Sequence, residues 1–214
     1  MQYKAEERGN TSVLIVILAL LYFAFGKLSF FFLSDNYFIT IGVFASEGIA
    51  LAFALYFGKR VIPGIFLGQF ALAFSNGLDI GASGAIGVVN SIEALLGIWL
   101  LTKFRFDPRL QTFRDFGLLF GVIVLVLQPF SGFVSNAYLI YNGDIPVGDY
   151  MSSSLDWIIG NIVGQFLFTP FFIDVVYTLS EDRPITLFSF WLDNDYFFLP
   201  VGYCYQDRES LSTV

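Results

Sequence analysis

Three ionisable residues stand inside long apolar stretches of this chain: Lys27, Glu47 and Glu93. Near the centre of a hydrocarbon layer such a side chain costs about 2.5–3.5 kcal/mol on the insertion scale, so each needs a partner or a watery cavity. Amides accompany them. Asn90 precedes Glu93 by three positions and Asn161 precedes Gln165 by four, spacings that return to one face of a helix. Gln128 is a further amide in an apolar run. Groups of this kind could hold a small ligand, line a substrate or proton path, or act as general acid and base through Glu47 or Glu93. Catalysis is the least supported of the three, because no nucleophile motif, phosphate loop or histidine accompanies the two carboxyls. The chain has no His and one Cys, Cys204, which excludes zinc, haem and iron–sulfur sites, a Ser-His or Cys-His pair and an internal disulfide. No cofactor and no metal are expected.

The elements that must position these residues follow from composition. Of 214 residues, 56% are hydrophobic and only 14% charged, against roughly 25% in a soluble domain. Mean hydropathy is +0.70. A water-soluble globule of this size cannot hide so much apolar surface in one core, so the fold class is an all-α, polytopic bundle of transmembrane helices. Stretches near the twenty residues needed to cross a bilayer fall at Val13–Leu33, Phe38–Gly58, Val61–Ser75, Gly81–Thr102, Gly117–Tyr141 and Leu155–Tyr177, about six spans in all. The first is too long and too aromatic for a cleaved signal peptide.

Charge outside the spans tests that count. Lys4, Arg8, Lys59, Arg60, Lys103, Arg105, Arg109, Arg114, Arg183 and Arg208 all fall on one side, and the other three connections carry Asp35, Asp79, Asp144 and Asp149 with no Lys or Arg. The positive-inside rule then places both termini in the cytoplasm. Glycine pairs at Gly64 and Gly68, Gly117 and Gly121, and Gly160 and Gly164, with a stripe at Gly81, Gly84 and Gly87, predict close helix packing inside the chain.

Several local strings, in this order and spacing, carry a family resemblance. They include Phe25-Gly26-Lys27-Leu28, Glu47-Gly48-Ile49-Ala50-Leu51-Ala52 and Pro63-Gly64-Ile65-Phe66-Leu67-Gly68. Asn90-Ser91-Ile92-Glu93-Ala94-Leu95-Leu96-Gly97, Phe106-Asp107-Pro108-Arg109-Leu110 and Phe113-Arg114-Asp115 follow, and Trp157, Gly160-Asn161 and Thr169-Pro170 close the set. Together they resemble the bacterial membrane-associated sensor domain called MASE, first class. The resemblance implies a sensory input module of the bacterial inner membrane. Such modules usually precede a histidine kinase of a two-component system, or a diguanylate cyclase or phosphodiesterase domain. Three departures stand out. Phe44-Ala45-Ser46-Glu47 replaces the family's Trp-Pro-Pro, Gly160-Asn161 replaces its Gly-Asp, and the further helices and output domain are missing. The pattern stops near residue 178, as a truncated or frame-shifted gene would.

The expected organisation is a cytoplasmic segment 1–12, a membrane-embedded sensor domain 13–178 and a cytoplasmic or interfacial tail 179–214. The function expected is signal perception without catalysis, and the alternative is a small transporter or membrane interaction protein. Expected partners are the lipid bilayer, a small ligand of unassigned chemistry, and a second copy or membrane partner protein. The scattered basic residues form no stripe for nucleic acid. Counted from the outer helix ends, Lys27, Glu47 and Glu93 lie roughly 9, 14 and 18 Å deep at ~1.5 Å per residue. Those levels predict a polar cluster in the outer half, Lys27 paired with Glu47 or Glu93, and Asn90, Asn161 and Gln165 completing the hydrogen bonds.

Overall fold

The computed structural model describes residues 10–34, 42–110 and 112–181, and the expectations for the tail lie outside the described residues beyond 181. All regular elements among the described residues are helical. They are α1 (Thr11–Ser34), α2 (Ala45–Phe57), α3 (Ile62–Ser75), α4 (Ile80–Lys103), α5 (Phe113–Val122), α6 (Gln128–Asn142) and α7 (Tyr150–Glu181). A 3-10 turn, Gly58–Val61, joins α2 to α3, and a π-helical segment, Ile123–Leu127, makes α5 and α6 one continuous leg. Five stretches are long and apolar enough to cross a membrane: Thr11–Phe31, Ala45–Ser75, Ile80–Lys103, Phe113–Asn142 and Val147–Thr178.

The sequence predicts six spans, and the difference lies in Ala45–Ser75, which holds two legs. Ala45 N–H lies against Ser29 Oγ of α1. Gly64 packs on Ile15 and Leu18, Gly68 on Ala19 and Tyr22, and Ser75 O receives Lys27 Nζ. So α2 runs antiparallel to α1, turns at Gly58 (φ 73°), and α3 returns parallel to α1. At 13 and 14 residues the two legs are each only about 20 Å long.

The sequence also predicts helix from Phe38; positions 38–41 lie outside the described residues, and 42–44 are not helical, so α2 starts at Ala45. Just before it the chain lies against α7, where Phe44 N–H donates to Gly160 O at 3.3 Å. Non-helical backbone at membrane depth is tolerated only when protein covers it. Gly160 and Gly164 make that cover possible, since a Cβ on either would collide with the backbone of Gly42 or Phe44. The Gly64/Gly68 pair likewise seats α3 on α1. The prediction fails for Gly117 and Gly121, where a Cβ would meet nothing within 4 Å, so that pair does not mediate packing in the chain. Gly87 meets Phe66, but Gly84 is equally open.

The irregular positions have local causes. Pro129 has no N–H to give the carbonyl four residues back, and the ladder widens there: Gln128 N–H reaches Ile123 O, five residues away. The extra residue rotates the following face by about 100°, sending Gln128 and Ser131 inward while Leu125 stays 76% exposed. Between α4 and α5, buried Asp115 accepts from Thr112 Oγ at 2.5 Å and from Asp107 N–H at 3.1 Å, and it pairs with Arg114 at 3.5 Å. Asp79 caps α4 by accepting from Ala82 N–H at 2.8 Å, and Asn142 of α6 donates to its other oxygen at 2.6 Å.

Those bonds, led by the one from Ala82, hold the Asp79 carboxyl below the usual aspartate range. A depressed native value means the cap contributes above the unfolded-state pKa and is lost as pH falls through the native one. Amide exchange at Ala82 should therefore quicken in Asp79→Ala at neutral pH. In strong acid the parent should match that variant; a difference persisting there would count against the cap.

Candidate functional site

Five of the six legs send polar side chains to one level of the bundle. α1 supplies Tyr22, α2 Glu47, α4 Asn90 and Glu93, α6 Gln128 and Ser131, and α7 Gln165, all of them buried. Asn90 and Glu93 share a face of α4 because they are one turn apart. Glu47 Oε1 accepts from the Tyr22 hydroxyl and from Asn90 Nδ2, the latter at 2.7 Å. Asn90 Nδ2 also lies 3.1 Å from the Tyr22 hydroxyl, and Ser131 Oγ donates to Asn90 Oδ1 at 3.3 Å. Glu93 Oε1 accepts from Gln128 Nε2 at 2.7 Å and Gln165 Nε2 at 2.8 Å. Among the described residues, every hydrogen bond to either carboxyl comes from an amide or a hydroxyl and none from a Lys or Arg.

The predicted cluster is thus present for Glu47, Asn90, Glu93 and Gln165, and is corrected at two positions. Lys27 joins neither carboxyl. Its Nζ donates to Asn76 Oδ1 at 2.7 Å and Ser75 O at 3.2 Å, at the end of α3, and lies 6.0 Å from the Phe23 ring centroid. The reason is the late start of α2. Glu47 sits at the level of Tyr22, five residues or ~7.5 Å along α1 from Lys27, whose long stem carries the charge towards the helix ends instead. Asn161 is 2% exposed, yet its Nδ2 has no partner among the described residues, so it does not complete the hydrogen bonds as expected.

Tyr22 and Ser131 escaped the sequence reading. A tyrosine within a span needs a partner for its hydroxyl once buried, and Ser131 follows Gln128 by three residues. Those signals are real but weak, because membrane helices are rich in both residue types.

Beside the cluster, a cavity of about 90 Å³ lies between α1, α2, α3, α4 and α7. Phe44, Ser46 and Glu47, at the N-terminus of α2, line one wall, with Trp157 and Asn161 of α7 and Gln69 of α3. Leu72 and Ile86 supply apolar surface. No side chain of α2's N-cap residue, Phe44, caps the helix. Trp157 Nε1, like Asn161 Nδ2, is buried without an acceptor among the described residues. The site joins two carboxyls, a set of amides and an adjacent void. That arrangement can register a bound molecule as a change in hydrogen bonding, but it offers no nucleophile for a covalent step.

No curated protein and no solved structure matches the chain. The MASE1 family model matches residues 11–182, about four-fifths of the chain and all of the described helices. The resemblance carried by the Glu47, Pro63, Asn90 and Gly160 strings therefore holds across the whole bundle that builds the site. The chain belongs to the MASE1 family of membrane-associated sensor domains.

Proposed function

We propose that this chain is the sensory input module of a signalling protein of the bacterial inner membrane, with both termini cytoplasmic. It perceives a stimulus at the polar cluster and passes a conformational change along α7 to an output domain of the histidine kinase or cyclic-dinucleotide type. One observation carries the reading. The hydrogen bond from Gln165 to Glu93 ties α7 to a network whose other members come from α1, α2, α4 and α6. In a non-polar environment such bonds are few, so changing one alters which helix positions are favoured. The one-sided basic residues support cytoplasmic termini. Pro170 within α7 removes one rung of its ladder, which gives the leg a place to bend.

The module itself carries no catalytic step on this reading. The test is a diguanylate cyclase domain fused in register after Glu181, with cyclic dinucleotide measured in membranes. Glu93→Gln and Gln165→Leu should each shift output at least about fivefold, equivalent to ~1 kcal/mol of coupling. The unfused chain should make no product from GTP. Fusions whose output ignores both substitutions, or product from the unfused chain, would defeat the proposal.

A further inference from the structure

The hydrogen bonds around Glu93 leave three oxygens over. Gln128 of α6 and Gln165 of α7 both turn Nε2 towards Glu93 Oε1. A carboxylate only accepts, so each glutamine must present its NH2 there and direct its own Oε1 elsewhere. Glu93 Oε2, Gln128 Oε1 and Gln165 Oε1 are then buried with no partner among the described residues. The three side chains are at most 2% exposed, so these acceptors have given up bulk solvent, which is costly without a donor in return. Each glutamine oxygen is ~2.2 Å from its own nitrogen, and therefore within ~5 Å of Glu93 Oε1. Ser131, whose proton goes to Asn90 Oδ1 at 3.3 Å, also stands beside Glu93 with lone pairs to spare.

One carboxylate, two neutral amides and a hydroxyl, all offering oxygen, suit a hard cation. Charge selects the valence. A monovalent ion on one carboxylate makes a neutral site, whereas a divalent ion would leave net positive charge in the hydrocarbon layer. Glu47 has its own donors, Tyr22 and Asn90, and shares no hydrogen bond with Glu93. A proton on Glu93 would serve fewer of the oxygens, since it makes one hydrogen bond and leaves a glutamine oxygen without a donor. A cation among them engages all three. Because both amides close on one carboxylate oxygen, the ligand set is compact, which suits sodium better than potassium. Polar groups continue from this site towards the 143–149 connection: Asn161 and Ser154 on the Gln165 face of α7, and Ser135 one turn beyond Ser131 on α6. Each is buried with a polar atom unpartnered among the described residues, as the lining of an ion's approach would be.

We propose that Glu93, Gln128 and Gln165 form a binding site for one sodium ion. Its ligands come from α4, α6 and α7, so occupancy would draw those three helices together. The site stands on the geometry alone; that its occupancy is a signal rests on the reading of the chain as a sensory module.

The full chain in lipid nanodiscs, held in choline chloride and titrated with radioactive sodium, tests it. Binding should saturate at one ion per chain, with a Kd below about 20 mM. Potassium should compete at least about tenfold more weakly, and magnesium should not compete. Glu93→Gln keeps the shape of the side chain and removes its charge, and should weaken sodium binding at least about tenfold. Gln165→Leu should weaken it several-fold. Sodium should raise the Tm of the parent and leave that of Glu93→Gln unchanged. Absence of saturable sodium binding by the parent overturns the inference, and a parental Tm that then follows pH but not sodium marks a proton site instead. Equal competition by potassium or magnesium also overturns it, as does parental affinity in folded Glu93→Gln. Should Glu93→Gln fail to fold, parental affinity in Gln165→Leu does the same. If the cyclase fusion responds to Glu93→Gln while no sodium binds, the ion is wrong and the sensory reading stands. If sodium binds and the fusion's output ignores both the ion and the substitution, the site stands and the sensory reading falls.

Discussion

Gly164→Val should prevent the chain from reaching its native bundle. A Cβ at Gly164 would fall on the carbonyl and carbonyl carbon of Phe44 and within 3.0 Å of its nitrogen. Those are backbone atoms of the stretch that enters α2, and they cannot swing aside as a side chain can. Overpacking that side chains can relieve costs about 1–3 kcal/mol, so a clash with fixed backbone belongs at the top of that range or above it. The same interface is tight from the other face. A Cβ on Gly48 would meet Phe168 Cβ at 2.6 Å and Gly164 O at 2.9 Å. Gly121→Val supplies the comparison, because nothing lies within 4 Å of its Cβ position. Thermal unfolding in detergent should show a large loss of Tm for Gly164→Val and a near-parental Tm for Gly121→Val. Equal effects would mean that α2 does not approach α7 through these glycines.

The outline of the fold was legible because lipid leaves few choices. Spans must be apolar and about bilayer-long, and basic residues must collect on one side. Those rules located every leg and the connections at Lys59–Arg60 and 103–114. They could not locate the start of α2. Residues 42–44 read as part of an apolar run, yet they are not helical, and they lie against Gly160 and Gly164 of a different helix, more than 110 positions away. From that single miss came the wrong partner for Lys27, since the depth assigned to Glu47 assumed an unbroken helix. Glycine spacing showed where close packing could occur, not where it does. Gly64 and Gly68 have α1 against them, whereas Gly117 and Gly121 have nothing. The site was half legible for a similar reason. Charged residues in lipid announce themselves, so Glu47, Glu93 and their neighbour Asn90 could be found. Tyr22 and Ser131 are ordinary residues for a membrane helix, and only the tertiary arrangement, including the π turn before Pro129, brings them into the network.

Glu93→Leu should have the second largest effect, and of a different kind. It strips the acceptor from Gln128 and Gln165 together, leaving two buried amide donors. In a soluble core each such orphan costs about 1–3 kcal/mol. Within a membrane, measured couplings average ~0.6 kcal/mol, because the unfolded helices also find partners in lipid. The expected loss is therefore about 1–3 kcal/mol, less than for Gly164→Val and small enough for the protein to fold. Adding Gln165→Leu should cost less than the two single losses together, by at least about 0.6 kcal/mol, since one bond is removed only once. The larger consequence is positional: α7 loses the one side-chain bond, from Gln165, that ties it to Glu93 on α4.

The most direct measurement is a pulsed electron-spin distance between labels at Lys103 and Thr178, at the same ends of α4 and α7, in a Cys204→Ser background in nanodiscs. The parent should give one narrow distance distribution. Folded Glu93→Leu and Gln165→Leu proteins should each give a distribution shifted by several ångströms or clearly broadened, in the same sense, as α7 is released from the network. A distribution identical to the parent's in folded Glu93→Leu would contradict the claim that the buried polar cluster controls the position of α7.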